Sequence, residues 1–123
     1  MAEKAVSVAN TFLELAEASG GSLSPMKLQK LVYYAHGWYL AIQDGPLVEE
    51  GVEAWRYGPV VKPLYHALKE YGADAITGKA QVAKYVDGQF RTEEPSLARG
   101  DMGHMIVKKI LDVFGDYTAI QLT

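Results

Sequence analysis

Three stretches of the chain place apolar side chains at helical spacing. In the first, Val6, Ala9, Leu13 and Ala16, joined by Val8, Phe12 and Leu15, fall on one half of a helical wheel, while Ser7, Asn10, Thr11, Glu14 and Glu17 fall on the other. That division predicts a surface helix docked by one face and ended by Gly20-Gly21. The second stretch opens with Ser24 as N-cap and Pro25 at the first helical position, where its missing N–H costs nothing. Leu28, Leu31, Val32, Ala35, Trp38, Tyr39 and Ile42 then recur along one side, with Tyr33 and Leu40 opposite. A helix so apolar all round reads as the central one, with neighbours on several sides. Gly37 stands in its middle and costs about 1 kcal/mol against alanine, so close approach of another element is expected there. In the third stretch, Met102, Ile106, Val107, Ile110, Val113 and Phe114 predict a helix from about Asp101 to Gly115.

Between these stretches the pattern changes. Asp44-Gly45-Pro46 breaks the chain, Val52–Trp55 looks extended, and Gly58-Pro59 turns it again. Val61, Leu64, Tyr65 and Leu68 give an inward face to a helix from about Val60 to Tyr71, ended by Gly72. Periodicity fades from Ala73 to Gly100, where "AQVAKYVDGQF" predicts two extended pieces around Asp87-Gly88, a hairpin signal. Thr118 is a candidate N-cap for one more short helix, and the chain is expected to continue past Thr123. The fold expected is mainly α: one compact helical domain over residues 1–123, built around the apolar helix at about 25–43. A small β-hairpin or short strands are placed near 52–56 and 82–91.

Composition narrows the function. The 123 residues are 49% hydrophobic, contain no cysteine and carry a net charge of -3. Disulfides, thiolate zinc sites and a cysteine nucleophile are excluded together, which fits a reducing cytoplasm. No apolar run is long enough to span a membrane, and the start lacks the basic region and unbroken apolar core of a signal peptide. Twelve Lys and Arg are scattered among fifteen acids, with Lys108-Lys109 the only adjacent basic pair, so nucleic acid is a disfavoured partner.

Catalytic chemistry finds little support. His36, His66 and His104 have no metal-site spacing, and His36 reads as a hydrogen-bonded structural residue. Nucleophile-elbow and phosphate-loop motifs are absent. Glu49, Glu50 and Glu53, like Glu93 and Glu94, read as solvated charge runs rather than acid–base pairs. No catalytic residue, metal ligand or cofactor site is assigned. Both tryptophans and most tyrosines lie between residues 33 and 71. Trp38, Tyr39 and Tyr65 read as core. Trp55, Arg56 and Tyr57 cannot all point inward from an extended segment, because successive side chains alternate.

Two stretches carry a resemblance: "SPMKLQKLVYYAHGWYLA", Ser24–Ala41, and "PLVEEGVEAWRYGPVVKPLYHALKEYG", Pro46–Gly72. Together, L-Q-K-L, Y-x-A-x-G-W, an acidic segment and E-A-W-x-Y-G-P-V-V resemble the Panacea domain, the SocA-like antitoxin family often labelled phage-associated. The resemblance implies a cytoplasmic antitoxin that binds and neutralises a protein toxin encoded nearby; presentation of that toxin to a protease is a further expectation. It also implies a shared scaffold serving many unrelated toxins, with specificity on variable surface such as the loop from Ala73 to Gly100. The partner-binding candidates are Lys30, Tyr34, Trp55, Arg56 and Tyr57; Gly37, Trp38, Gly58 and Pro59 are assigned to shaping the fold. The aromatic side of "AWRYGPVV" is expected to bury against the central helix, leaving Arg56 toward a partner. Two rival readings stand. One is a DNA-binding regulator using 24–43 as recognition helix, with Lys27, Lys30 and His36 on phosphate. The other is a small enzyme.

Overall fold

The computed structural model describes residues 3–56, 58–118 and 121–122. Helix α1 (Ala5–Ala18) is the most enclosed element, not the one-sided surface helix that its wheel predicts. Val8, Ala9 and Phe12 are fully buried, but so are Asn10 and Thr11, and Ser7 is nearly so. The reason lies far along the chain. Asn10 Nδ2 donates to the carbonyls of Ala80 and Pro95 at 2.8 and 2.9 Å, and its Oδ1 accepts from Ala80 N at 2.8 Å. Thr11 Oγ1 donates to Ser7 O and accepts from Leu97 N at 2.9 Å. The segment that follows residue 76 is thus laid over the polar side of α1, and each buried polar atom is paired. At the helix edge, Glu14 accepts from Lys79 Nζ at 3.0 Å and from Ser96 Oγ.

The residues before α1 are fixed as well. Glu3 pairs in parallel with Val48, its N–H donating to Leu47 O and its carbonyl accepting from Glu49 N at 2.8 Å. Glu50, expected in a solvated charge run, accepts from Ala5 N at 2.8 Å. Its carboxylate sits at the N-terminus of α1, where the helix dipole favours negative charge.

Helix α2 (Pro25–Gln43) starts as its sequence predicts, with Ser24 Oγ accepting from Lys27 N at 3.3 Å. Leu28, Leu31, Val32 and Ala35 are fully buried, whereas Trp38 is 37% and Ile42 58% exposed. Only its first half is central, so the central position belongs jointly to α1. At Gly37 a Cβ would meet nothing within 4 Å, so the expected close approach is absent among the described residues. Asp44 ends the helix in the left-handed conformation, φ 54.

The expectation of a mainly α fold is corrected by two small antiparallel sheets: 48% of the described residues are helical and 17% extended. Strand β1 (Val52–Trp55) pairs with β2 (Gly58–Val61), Val52 facing Val61 and Trp55 facing Gly58. Gly58-Pro59 is therefore not the turn but the start of a strand, and the reversal comes before it, with Arg56 in a turn. Pro59 lacks an N–H, and a two-stranded sheet consists only of edges, so the ladder tolerates it. Strands β3 (Val82–Val86) and β4 (Gln89–Glu93) form the second hairpin around Asp87-Gly88, with φ 51 and 78. Positive φ at both loop residues is what a type I′ hairpin turn requires. Its Tyr85 and Phe90 rings meet edge-on at 5.0 Å and are largely exposed.

Helix α3 (Lys62–Leu68) starts two residues later than its periodicity suggests, because Val60 and Val61 belong to β2. Leu64 and Leu68 point inward, and a single 3₁₀ turn (Lys69–Tyr71) extends α3. Helix α4 (Met102–Phe114) packs Ile106, Val107 and Ile110 against α1 and α2, while Met102 and Val113, expected on the same face, are exposed. After α4, Thr118 and Gln121 bond reciprocally, Thr118 N to Gln121 Oε1 at 2.8 Å and Gln121 N to Thr118 Oγ1 at 3.1 Å. That is the pattern of a helix-starting capping box.

Candidate functional site

Where α2, the first hairpin and α3 meet, the surface opens into a groove of about 440 Å³. One wall is the first turn and a half of α2, presenting Met26, Gln29 and Lys30. The opposite wall is the β1–β2 hairpin with Trp55, Arg56, Pro59 and Val60. Tyr65, Leu68 and Lys69 of α3 and its 3₁₀ extension complete the lining.

Local geometry explains how these side chains come together. Gln29 is buried and bonds both backbone groups of Val61, which docks the hairpin on α2. Gly58 has φ 119, and a Cβ there would lie 3.0 Å from Lys30 Nζ. Glycine lets the hairpin return directly over the lysine. Trp55 ends β1, so strict alternation stops there, and Arg56 in the turn lines the same groove as Trp55 rather than the opposite side. The Trp55 ring does not bury against α2 as expected. It packs edge-on against Tyr65 at 4.8 Å, and its indole N–H donates to Glu53 at 3.2 Å. Tyr65, expected in the core, is 41% exposed.

Of the partner-binding candidates, the groove brings Lys30, Trp55 and Arg56 together. Tyr57 lies outside the described residues. Tyr34 is elsewhere: its hydroxyl donates to Leu122 O and its ring lies 5.3 Å from Phe114, so it fastens the C-terminal segment. Among the positions assigned to shaping the fold, Gly58 and Pro59 form the start of β2, Gly37 lies exposed on α2, and Trp38 rests edge-on against Phe114 at 6.4 Å. Met26, Tyr65, Leu68 and Lys69 also line the groove, and no site pattern in the sequence points to them. Leu68 and Tyr65 carry ordinary helix-face periodicity, and nothing local marks Met26 or Lys69.

Among the described residues that line the groove there is no carboxylate, histidine or serine; its polar side chains are those of Gln29, Lys30, Arg56, Tyr65 and Lys69. No group of three or more His, Asp or Glu among the described residues could hold a metal. The three residues that a DNA-binding helix would have used are engaged otherwise. Lys27 Nζ donates to Gly115 O at the end of α4, Lys30 is 5% exposed, and His36 Nδ1 accepts from Val48 N at 3.3 Å. Burial lowers the pKa of His36 and, against the opposing pull of Asp116, that of Lys27. No helix among the described residues is long and apolar enough to cross a membrane.

The groove is thus walled by aromatic, apolar and basic side chains. The chain belongs to the family described as "Antitoxin SocA-like, Panacea domain", which matches residues 28–123. It is 33% identical over 115 residues to Antitoxin SocA of Caulobacter vibrioides, covering 94% of this chain. The match takes in 60% of the length of that relative. No solved structure matches the chain.

Proposed function

We propose that this chain is an antitoxin that neutralises a cognate protein toxin by direct binding, with the groove between α2, the first hairpin and α3 as its contact surface. The observation that carries the reading is the kinship with Antitoxin SocA along 94% of the chain. The groove supports it independently, because tryptophan, tyrosine and arginine clustered around a cavity are the composition of a protein–protein hot spot. Engagement of Lys27, Lys30 and His36 inside the molecule weighs against nucleic acid as the partner. Binding would also let the chain hand its toxin to a protease, which a shortened toxin half-life in its presence would report.

The test is co-expression with the product of the adjacent open reading frame. The two proteins are expected to elute together, and the toxic product to arrest growth unless this chain is made with it. Separate elution without rescue of growth would overturn the proposal.

A further inference from the structure

The two hairpins differ in what their edges meet. In an antiparallel pair, the backbone groups of successive residues point alternately into the ladder and away from it. On β2 the outward residues are Val61 and Pro59. Gln29 takes both backbone groups of Val61, and Pro59 has no N–H to offer, so that edge is closed. In the second hairpin Asp87 and Gly88 form a two-residue turn. The flanking pair Val86–Gln89 therefore bonds inward, as do Lys84–Arg91 and Val82–Glu93. The backbone of Ala83, Tyr85, Phe90 and Thr92 points outward, and no hydrogen bond from the described residues reaches it.

Of the two edges, β4 is the open one. It is exposed along its whole length, whereas β3 packs Val82 against the core. The hairpin is also firmly mounted, since Asn10 holds Ala80 and Pro95, and Thr11 holds Leu97, on either side of it. A bare strand edge is what proteins normally cover or break, and a two-stranded sheet gains stability from a third strand.

We propose that the β4 edge takes an extended segment of a partner protein as a third strand, bonded to the backbone of Phe90 and Thr92. Main-chain bonds would hold the segment, and its alternate side chains would set specificity. An apolar side chain falls beside the exposed Phe90 ring, and an acid falls beside Arg91 on the opposite face. Arg91 faces Lys84 directly across the ladder, and neither is ion-paired with a described residue. Glu93 shares their face but stands opposite Val82. Like charges directly opposite cost stability, so a neighbouring carboxylate offsets that repulsion. The same cations argue against a second copy of the chain. Pairing β4 with itself through Phe90 and Thr92 would set Arg91 beside Arg91. A nucleic-acid strand fits no better, because the rings that could stack and the cations that could meet phosphate lie on opposite faces. The edge shares no described residue with the groove, and it stands whether or not the chain is an antitoxin.

A random dodecapeptide library displayed on phage, panned on the purified protein, tests this. The enriched sequences are expected to alternate, with Asp or Glu next to a β-branched or aromatic residue. In NMR hydrogen exchange, a synthetic peptide of the enriched sequence should slow the Phe90 and Thr92 amides about tenfold or more. The Arg91 amide, already in the ladder, should change less. Thr92→Pro removes an outward N–H and spares the ladder bonds, so it should weaken the peptide about tenfold, whereas Thr92→Val should not. Arg91→Glu should turn the enrichment from acidic to basic peptides. No enrichment overturns the proposal, as does peptide binding that leaves both amides unprotected or enrichment indifferent to Arg91→Glu. So does a dimer of the protein alone that Thr92→Pro dissociates, or equal protection of both amides by a single-stranded oligonucleotide. The exchange measurement on the wild type decides the matter even where Thr92→Pro loosens the hairpin.

Discussion

The side chain of Gln29 makes two hydrogen bonds to the backbone of Val61, its Nε2 donating to the carbonyl at 3.1 Å and its Oε1 accepting from the N–H at 3.0 Å. This amide joins α2 to the end of β2 and so sets the distance between the two walls of the groove. Both partners are buried, so water cannot replace either bond.

Gln29→Leu keeps the volume approximately but removes both bonds to Val61, including the side-chain acceptor of its buried N–H. The expected loss is about 2–3 kcal/mol in urea unfolding, with a red shift of Trp55 emission as the hairpin loosens. Gln29→Glu should cost a similar amount, because a carboxylate faces the Val61 carbonyl without a proton to donate.

Asn10 has the same role on the other side of the molecule, with three bonds to Ala80 and Pro95. Asn10→Ala should destabilise by about 2–4 kcal/mol and should release the segment that carries the second hairpin. Hydrogen exchange should show lost protection at Ala80 and Leu97 well before the helices open.

These two amides also show what could be read from the sequence and what could not. Ser24, Pro25 and the apolar spacing announce α2, and Asp87-Gly88 announces the second hairpin, because caps and turns are chemistry between near neighbours. Asn10 and Thr11 look solvent-facing on a helical wheel, since their partners lie 70 to 86 residues away. Ladder pairing of Val60 and Val61 with β1 overrode the helical periodicity that continues into α3. The groove was half legible. Trp55, Arg56 and Lys30 stood out by type, whereas Met26, Tyr65 and Lys69 join them only once α2, the hairpin and α3 have met.

Burial lowers the His36 pKa below its ordinary value of 6.5, and Nδ1 must stay unprotonated to accept from Val48 N. The unfolded chain takes up the proton first as pH falls, so this contribution is complete above about pH 6.5 and is lost on acidification below it. Thermal melts from about pH 7.5 to about pH 5.5 should show a falling midpoint. His36→Asn, which keeps an acceptor but does not titrate, should flatten that slope.

Gly37→Ala should stabilise the isolated protein by about 1 kcal/mol, since a Cβ there meets nothing within 4 Å and alanine is the better helix former. A raised thermal midpoint with unchanged rescue of growth is the expected pair of results.

The most direct measurement is calorimetric titration of this chain with the purified product of the adjacent open reading frame, for wild type and for Trp55→Ala combined with Arg56→Glu. The wild type should bind, and the double variant should bind about a hundredfold more weakly while melting at nearly the same temperature. Equal affinities for the two would contradict the groove as the docking surface, and no heat from either would contradict direct neutralisation.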